Sequence, residues 1–556
     1  MATHEVFNQP PPRVDVDEFG SNTALVDGVT RYDAAWAVDD LHRIGRAVGT
    51  EEFQHDAERA NVREPRLVSH DRHGNRVDEV EYDEAYHRVI RAAVAEGAHT
   101  AAWAEPKPGA NVARAATFML FAQIEPGHAC PVSMTHAAVP VVAQNDALAA
   151  EWMPRLLSRD YSGELGGGSG SGAPKSSALF GMAMTEKQGG SDVRANTTRA
   201  VAVSGVDAGD GSYLLTGHKW FCSAPMSDAF LVLAQTDAGL GCFLVPRVLG
   251  DGSRNVFRIQ RLKDKLGNRA NASSEIELDG TVGFLIGEEG RGVRTIIEMV
   301  AGTRLDCILG TTAGMRQATA EALWHVRHRT AFGALLVDQP AMTAVVADLA
   351  LETEAATATA LRLARAHDAD ASADEVAFRR LATAVEKYWI CKRGPAHAYE
   401  ALECLGGNGY TEAFPLARRY REQPVMAVWE GSGNVIALDV LRALTREPLS
   451  GSGDNYAAFD AEVAMAAGEH PVFDAHLAAT RRQVAEVVAS DERDAAASAR
   501  SLVANLALAL QASLLLRTAP PAVSHAFVES RLGENRGNLY GELPRGADAA
   551  AILERS

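Results

Sequence analysis

The sequence is poor in cysteine, in long apolar runs and in positive charge. Its 556 residues include six cysteines, which lie far apart and form no Cys-x-x-Cys pair. We therefore expect reduced thiols rather than a disulfide framework or a zinc site. The most apolar run, Leu502 to Leu516, contains Asn505 and Gln511 and is shorter than the ~20 residues of a membrane span. The first 20 residues lack the basic stretch and apolar core of a signal peptide, so we expect a cytoplasmic protein.

The charge balance excludes a general binder of polyanions. Lys and Arg total 54 and Asp and Glu total 72, which gives a net charge of −18. Any role with nucleic acid would need a local basic patch. Hydrophobic residues at 47% and charged residues at 23% are typical of a globular protein. The length suggests three or four domain-sized units.

Changes of pattern along the chain predict a multidomain α+β fold. Short runs rich in β-branched and aromatic residues, separated by Gly, Asp and Pro turns, indicate an antiparallel β domain. Alanine-rich windows with helical periodicity lie on both sides of it. Glycine- and serine-rich stretches at 161–174 and 447–455 are typical of linkers. The predicted domains are an N-terminal arm and helical domain (1–180), the β domain (181–290), a second helical domain (291–446) and a C-terminal helical domain (447–556).

Met182-Ala-Met-Thr-Glu-Lys-Gln-Gly-Gly-Ser-Asp-Val193 is the first segment that could hold a ligand. Glycines 189 and 190 would let the backbone approach a flat molecule, and Thr185 and Ser191 would supply hydroxyl and amide groups. Taken alone, this segment is as well explained as a polar β-turn.

Gly217-His-Lys-Trp-Phe-Cys-Ser223 is the second segment. Trp220 and Phe221 occupy adjacent strand positions and face opposite sides, so one ring could lie against a cofactor while the other packs inward. An arbitrary strand would more often use both rings in its core.

Two further regions combine glycine with charge. Arg329-Thr-Ala-Phe-Gly333, followed by Gln339-Pro340, places an arginine where it could pair with a pyrophosphate. Leu405-Gly-Gly-Asn-Gly-Tyr410 precedes a loop in which Glu430 stands between apolar residues and glycine. Apolar surroundings would raise the pKa of this carboxyl and suit it to proton abstraction. A solvated arginine and a solvated glutamate are the ordinary alternatives.

The order and spacing of these motifs resemble the acyl-CoA dehydrogenase flavoproteins. TEKQGGSD, GHKWF, RxxFG, LGGNGY and WEGSGN follow one another as in that family. The resemblance is closer to the AidB-like branch, which is linked to the response to alkylation damage. FNQPPP, ANVREP, RLKDKLGNRANAS, KYWICKRG and YREQPV all look like that branch, as does a helical C-terminal extension.

The resemblance implies non-covalent FAD between the β domain and the second helical domain, in a homotetramer. It leaves the hydrogen-bond donor to flavin N5 open between Cys222 and Ser223. The residues implied in cofactor binding are Met182, Met184, Thr185, Gly190, Ser191, Trp220, Phe221, Cys222, Ser223, Arg329, Phe332, Gln339, Gly406, Gly407, Trp429, Gly431, Ser432, Gly433 and Asn434.

The resemblance also implies the chemistry. Glu430 matches the base that removes the α-proton of an acyl-CoA thioester while hydride passes from the β-carbon to flavin N5. The thioester carbonyl would receive hydrogen bonds from the flavin ribityl chain and from the Glu430 amide. Some relatives carry the base before an Arg-Leu pair, but here Thr303 precedes Arg304-Leu305. Arg304 is predicted to bind substrate, with short branched acyl-CoAs as candidates.

A second function, from a different class, is binding of double-stranded DNA by the C-terminal domain. This alternative describes a protective flavoprotein of the alkylation response with little or no dehydrogenase turnover. Residues 441–556 contain eleven Arg, no Lys and fifteen acidic residues, so their charge alone favours an ordinary helical domain. Four arginines gather late in the chain and are the candidates: Arg517, Arg531, Arg536 and Arg545.

Overall fold

The computed structural model describes residues 3–165, 175–203, 211–445, 454–534 and 537–556. Most of the two predicted linkers, and Arg536, lie outside these residues. All six cysteines are described and are buried as thiols.

The chain forms two compact units, each assembled from separate segments. We call residues 52–106 and 125–303 the sheet unit, and residues 1–51, 107–124 and 304–556 the helical unit. The division does not follow the linear order of the predicted domains, because α-helices from the beginning of the chain join those from its end.

Among its described residues, the sheet unit carries nine strands and five helices of its own. Its strands are β1 (Arg66–His70), β2 (Arg76–Glu81), β3 (Phe180–Ala183), β4 (Arg199–Ala202), β5 (Ser212–Ser223), β6 (Ala229–Thr236), β7 (Gly239–Pro246), β8 (Arg258–Leu262) and β9 (Ser273–Ile286). Its helices are α3 (Glu51–Val62), α4 (Glu84–Ala95), α5 (Ala101–Ala104), α7 (Ala129–Val142) and α8 (Asp146–Leu156).

Strands β3 to β9 form one sheet in the order β3-β6-β4-β5-β9-β7, with β8 on β9. Because β7 pairs with both β6 and β9, the strands close into a ring. The apolar sequences of β6 and β7 are buried almost throughout, as expected where a closed sheet surrounds its own core. The predicted β domain is therefore confirmed.

Two features of the sheet unit differ from the prediction. The β domain is not wholly antiparallel, since β3 and β4 each run parallel to β6. Strands β3 and β6 are separated by enough chain for the crossover that parallel pairing requires. The N-terminal region predicted as helical also contains the antiparallel hairpin β1–β2. Its turn includes Gly74 at φ +85°, a conformation that favours glycine.

The helical unit is built mainly from long helices. Its elements are α1 (Thr23–Arg31), α2 (Val38–Val48), α6 (Ala110–Ala122), the later part of α9 (Gly292–His328), β10 (Thr330–Ala331), β11 (Ala334–Leu335), α10 (Pro340–Ala366), α11 (Ala373–Glu403), α12 (Pro415–Met426), α13 (Gly433–Thr445), α14 (Asn455–Ala464), α15 (Pro471–Ala489), α16 (Glu492–Thr518), α17 (Pro521–Leu532) and α18 (Ala549–Leu553).

Helix α11 is the centre of this unit and packs against α10, α12, α13, α14 and α16. Its start is fixed by Ser372, whose hydroxyl accepts a hydrogen bond from the Glu375 amide. Among the described helices, α16 alone is long and apolar enough to cross a membrane, but 72% of its most apolar window is buried inside the protein. Burial on this scale is typical of a core helix, and α16 also packs against α10, α13 and α15.

Candidate active site

Glu430 lies in the short loop between α12 and α13, residues 427–432, which we call the Glu430 loop. Glu430 has φ +58° and Gly431 has φ +108°, so the chain passes through two left-handed residues in succession. A non-glycine residue in this region is strained and is maintained only when its surroundings hold it there.

Two cations from neighbouring helices hold the loop by its carbonyl groups. The Lys387 ammonium on α11 donates to the carbonyl oxygens of Trp429 (2.8 Å) and Gly431 (2.6 Å). The Arg304 Nε on α9 donates to the carbonyl oxygen of Glu430 (3.1 Å). Three consecutive carbonyls are therefore bound by positive charge, and hydrogen bonds of this kind are stronger than neutral ones.

Asp439 completes this network from α13. It accepts from Arg304 Nη1 at 2.7 Å and from both terminal nitrogens of Arg380, at 3.1 and 3.2 Å. Burial raises the pKa of Asp439, but the two arginines outweigh it and hold the pKa below its usual range. Arg304 was predicted to bind substrate. In the structure its guanidinium joins the Glu430 loop to α13, and substrate binding stays a prediction.

The alternative position for a base carries no carboxylate. Thr303 is buried, and its hydroxyl donates to the carbonyls of Met299 (3.1 Å) and Val300 (3.2 Å) on its own helix. Beneath the Glu430 loop, Cys307, Cys391 and Met426 form a small apolar cluster. Burial raises the pKa of both thiols, which keeps them protonated and unreactive.

In the sheet unit, the Met182–Ser191 segment continues past β3 alongside β5. The Trp220 amide donates to the Thr185 carbonyl at 2.8 Å, which fixes the two motifs side by side. Met182, Met184 and Thr185 are half-buried, and Ser191 is exposed. A Cβ on Gly190 would stand 2.5 Å from the Thr185 hydroxyl, so this bend requires glycine.

A buried ion pair that the sequence analysis passed over fastens this segment. Glu186 and Lys219 are fully buried, with Lys219 Nζ 2.8 Å from the carboxylate. The carboxylate also accepts from the backbone amides and hydroxyls of Thr197 and Thr198. Burial raises the pKa of Glu186, but Lys219 and these donors outweigh it and hold the pKa far below its usual range. Glu186 lies within the first predicted ligand segment and Lys219 within the second, but neither was predicted to have a role.

Neither ring of the aromatic pair on β5 packs inward, contrary to the prediction for one of them, because a register shift between Lys219 and Cys222 breaks the alternation of the strand. Trp220 is half-buried beneath Lys263, whose ammonium lies 3.2 Å from the ring centroid, whereas Phe221 is 50% exposed. Cys222 packs into the core of the sheet unit, where burial raises the pKa of its thiol to about 12. A thiol in the core cannot face a ligand on the surface. Ser223 remains as the candidate donor, with its hydroxyl 3.0 Å from that of Ser273.

The Arg329–Gly333 motif forms a tight hairpin between β10 and β11. Phe332 (φ +53°) and Gly333 (φ +81°) occupy its turn, and Phe332 is fully exposed. The Arg329 guanidinium donates to the Asn8 carbonyl, and the Asn8 side chain binds the backbone of Thr330. Gln339 Nε2 donates to the Ala331 carbonyl at 3.2 Å. The N-terminal arm therefore covers one side of this hairpin.

The remaining predicted residues lie in exposed or open positions of the helical unit. A Cβ added to Gly406 or Gly407 would meet nothing within 4 Å, and Tyr410 is 84% exposed. Ser432 and Asn434 are exposed at the start of α13. Gly433 is different, because a Cβ there would stand 2.4 Å from the Lys392 side chain.

Two of the four arginines proposed for DNA are engaged inside the protein. Arg517 bonds to Glu462 at 2.6 Å. Arg531 bonds to Asp348 at 2.5 Å and to Glu352 at 2.9 Å. Arg545 is exposed. DNA binding therefore stays a prediction, and the carboxylates already paired with Arg517 and Arg531 weaken the case for those two residues.

The residues present fit FAD by their chemistry. An isoalloxazine ring needs a flat aromatic or glycine surface, and a pyrophosphate needs backbone amides or a guanidinium. Gly406 and Gly407 leave backbone accessible, and the half-buried Arg329 stands beside the β10–β11 hairpin. The buried indole N–H of Trp429 has no hydrogen-bond partner among the described residues. An orphaned donor next to Glu430 suits a site completed by a ligand.

Three segments of the chain match known sequence families. Residues 8–163 match the adaptive response protein AidB N-terminal domain, residues 181–281 the acyl-CoA dehydrogenase middle domain, and residues 290–445 the acyl-CoA dehydrogenase C-terminal domain.

Relatives and solved structures agree with these matches. The protein of Escherichia coli strain K12 named "Putative acyl-CoA dehydrogenase AidB" is 48% identical over 447 residues, which are 80% of this chain and 81% of that protein. The crystal structure of Caenorhabditis elegans ACDH-11 in complex with C11-CoA has a TM-score of 0.84 at 25% identity, covering 100% of this chain and 93% of that one. An acyl-CoA dehydrogenase from Bacillus anthracis complexed with FAD shares the fold, with a TM-score of 0.62 at 16% identity over 80% of this chain and 79% of that one.

Proposed function

The chain belongs to the acyl-CoA dehydrogenase family, in its AidB-like branch, and from this premise we propose that it oxidises an acyl-CoA thioester to the 2-enoyl-CoA with Glu430 as the base. It is an oxidoreductase of the class that acts on CH–CH bonds, with FAD as its cofactor. Bound FAD supplies the acceptor for the hydride that leaves the β-carbon.

The proposed step removes two hydrogens from the acyl-CoA thioester, one as a proton and one as hydride. The Glu430 carboxylate takes the α-proton, the C–H bond at the β-carbon gives up hydride, and a double bond forms between the two carbons. Negative charge grows on the thioester carbonyl as the α-proton leaves. The Glu430 amide, with a ribityl hydroxyl, is the donor that the family resemblance assigns to this oxygen.

One observation carries the assignment to Glu430. All three carbonyls of residues 429–431 are held by Lys387 and Arg304, so the backbone on both sides of the glutamate has a fixed orientation. A base must lie within hydrogen-bond reach of its proton, and a fixed loop meets this requirement better than a flexible one. Thr303, at the alternative position, has no group that could take a proton at neutral pH.

Within the sheet unit, the residues proposed to contact FAD are Trp220 and Thr185. Within the helical unit, they are Arg329, Gly406 and Asn434. Phe332 is fully exposed at the turn between β10 and β11, and we propose that it contacts a second chain. A homotetramer, as the family resemblance implies, would provide that contact.

The test is reduction of the flavin by acyl-CoA without oxygen. Purified holoenzyme mixed with isovaleryl-CoA and with straight-chain acyl-CoAs should lose its flavin absorbance within one turnover. Glu430→Gln should bind the same flavin and the same thioesters but slow the bleaching by about 10²–10⁴-fold, the usual contribution of a general base. Bleaching at the wild-type rate in Glu430→Gln would remove the assignment.

A further inference from the structure

Lys387 is a buried cation that binds the backbone on either side of the proposed base. The family resemblance assigns it no function. Its side chain is 1% exposed in the middle of α11. Among the described residues it forms no ion pair with a carboxylate, and its two hydrogen bonds go to the carbonyls of Trp429 and Gly431. Burying an ammonium without a counter-ion costs free energy of folding. We therefore expect its bonds to these two carbonyls to serve a function.

The Trp429 carbonyl belongs to the peptide unit that joins Trp429 to Glu430, and the Gly431 carbonyl belongs to the unit that joins Gly431 to Ser432. Because no peptide bond in the described chain is cis, each N–H points opposite to the C=O of its own unit. The unit whose oxygen binds Lys387 at 2.8 Å is the one that carries the Glu430 amide. Lys387 therefore sets the direction of that amide, and its charge draws electron density toward the carbonyl end of the unit. A more polarised peptide has a stronger N–H donor.

We infer that Lys387 is a positioning residue that acts through the Trp429–Glu430 peptide unit. Its ammonium orients and polarises the Glu430 amide, which then stabilises the charge that develops on the thioester carbonyl. The second bond, to Gly431, holds the far side of the glutamate and keeps the carboxylate at the α-carbon. This inference rests on the proposed function, since it requires a thioester carbonyl at the Glu430 amide.

Arg304 and Lys387 orient different peptide units of the Glu430 loop. It binds the carbonyl of Glu430 itself, so it orients the next peptide unit, whose N–H belongs to Gly431. Arg304 also shares Asp439 with Arg380, so part of its charge is compensated. Lys387 has no carboxylate of this kind and is the stronger source of polarisation.

The test separates charge from geometry in the FAD-loaded protein. Lys387→Gln can still donate to a carbonyl but lacks charge, Lys387→Met lacks both, and Lys387→Arg keeps the charge on a larger group. Lys392→Met is the matched control, because it makes the same change five residues further along α11 at an exposed position. Crotonyl-CoA labelled with ¹³C at its carbonyl serves as a probe that does not turn over.

The main readout is the carbonyl stretching frequency of bound crotonyl-CoA, from isotope-edited infrared difference spectra. Binding to the wild type should lower this frequency, because the donors at the oxygen weaken the C=O bond. The downshift should decrease in Lys387→Gln, be smallest in Lys387→Met and be largely retained in Lys387→Arg. The Lys392→Met control should match the wild type.

Kinetics supply the second readout. Lys387→Met should lower kcat by about 10- to 100-fold, less than the loss of a direct oxyanion donor, while KM changes little because the interaction strengthens toward the transition state. A full downshift in Lys387→Met would overturn the inference, even with a lower kcat, because the lysine would then be merely structural. No downshift in the wild type would overturn it as well.

The two proposals can fail separately. If acyl-CoA does not bleach the wild-type flavin, the proposed dehydrogenase function fails, while the infrared series with crotonyl-CoA still reports on Lys387. If Lys387→Met does not fold, the comparison between Lys387→Gln and Lys387→Arg decides the matter. Equal downshifts in those two variants would exclude a role for the charge.

Discussion

Two loops of this molecule each combine a glutamate with a buried lysine, but the lysine binds a different group in each. In the sheet unit, the ammonium of Lys219 binds the carboxylate of Glu186 directly at 2.8 Å. In the helical unit, the ammonium of Lys387 binds the two carbonyls beside Glu430 and forms no ion pair with the carboxylate.

The difference separates a structural carboxylate from the one that we propose as the base. The Glu186 carboxylate receives hydrogen bonds from Lys219, Thr197 and Thr198 and is fully buried, so it stays ionised and inaccessible. The Glu430 side chain is half-buried, and the cations near it are used to orient its backbone. The same two residue types therefore anchor one loop through its carboxylate and hold the other through its backbone carbonyls.

The largest expected effect comes from breaking the Glu186–Lys219 pair. Glu186→Gln should lower the free energy of unfolding by about 3–5 kcal/mol, because it leaves a buried ammonium without its counter-ion. Glu430→Gln is the matched control and should change the free energy of unfolding by less than about 1 kcal/mol. Urea unfolding of both variants measures this difference. Equal losses would show that the two glutamates do not differ as described.

An intermediate effect is expected at Glu386, a third glutamate, which is buried without a cation. Burial raises the pKa of Glu386 well above its usual range, and Gln511 Nε2 on α16 donates to it at 3.0 Å. Its Oε1 and the Gln511 Oε1 have no partner among the described residues. A proton on Glu386 would join these two oxygens, giving a carboxylic acid–amide pair. The charged group that acts on it from α10 is Glu352.

The pH dependence of stability follows from the sign of this shift. Above the unfolded-state pKa of about 4.5, the folded chain binds the proton more tightly than the unfolded chain, so its stability falls as pH rises. Glu386→Gln keeps the shape of the side chain but cannot titrate. Its free energy of unfolding, relative to that of the wild type, should therefore rise by about 1 kcal/mol or more between pH 5 and pH 8. Urea unfolding of the wild type and the variant at pH 5 and pH 8 measures this change. A difference in the free energy of unfolding that is the same at both pH values would contradict the protonated pair.

The smallest effect is expected at Arg380, which contacts the Glu430 loop only through Asp439. Arg380→Gln removes a partly exposed pair and should cost about 0.2–1 kcal/mol, with bleaching by acyl-CoA close to the wild-type rate. Arg304→Gln makes the same change at the other partner of Asp439, but it also frees the Glu430 carbonyl and should slow bleaching at least about tenfold. Stopped-flow absorbance compares them, and equal rates in the two variants would show that the carbonyl contact does not position Glu430.

Local motifs allowed much of the site to be predicted. Glu430, Trp220 and the glycine loops were identified because glycine, aromatic and acidic residues stand together within a few positions. Lys387 was missed, although a charged residue among the apolar positions of a long helix was a signal that it is buried for a purpose. Its partners lie 42 and 44 residues further along the chain, and no local pattern reports a contact at that distance.

Arg304 and Cys222 were identified from the local sequence, but their contacts could not be predicted from it. Arg304 was identified through its neighbours Thr303 and Leu305, but its contacts come from α13 and the Glu430 loop, more than 120 residues away. Cys222 was placed at the flavin by its offset from Trp220. A register shift between Lys219 and Cys222 in the pairing of β5 with β9 breaks simple alternation there, and the thiol lies in the core. The hairpin β1–β2 was missed because its short strands leave few apolar positions to count.

The sequence by itself determined which chemical groups are available: a carboxyl beside glycine on a loop, aromatic rings on a strand, and the order of motifs that identifies the family. Those properties depend on residue type and near neighbours, which the chain carries in any conformation. Only the tertiary structure decided which lysine binds a carboxylate and which binds backbone carbonyls, because that depends on where each ammonium lies after distant helices and strands have packed. The energy of a buried charge depends on its nearest partners, and folding selects them.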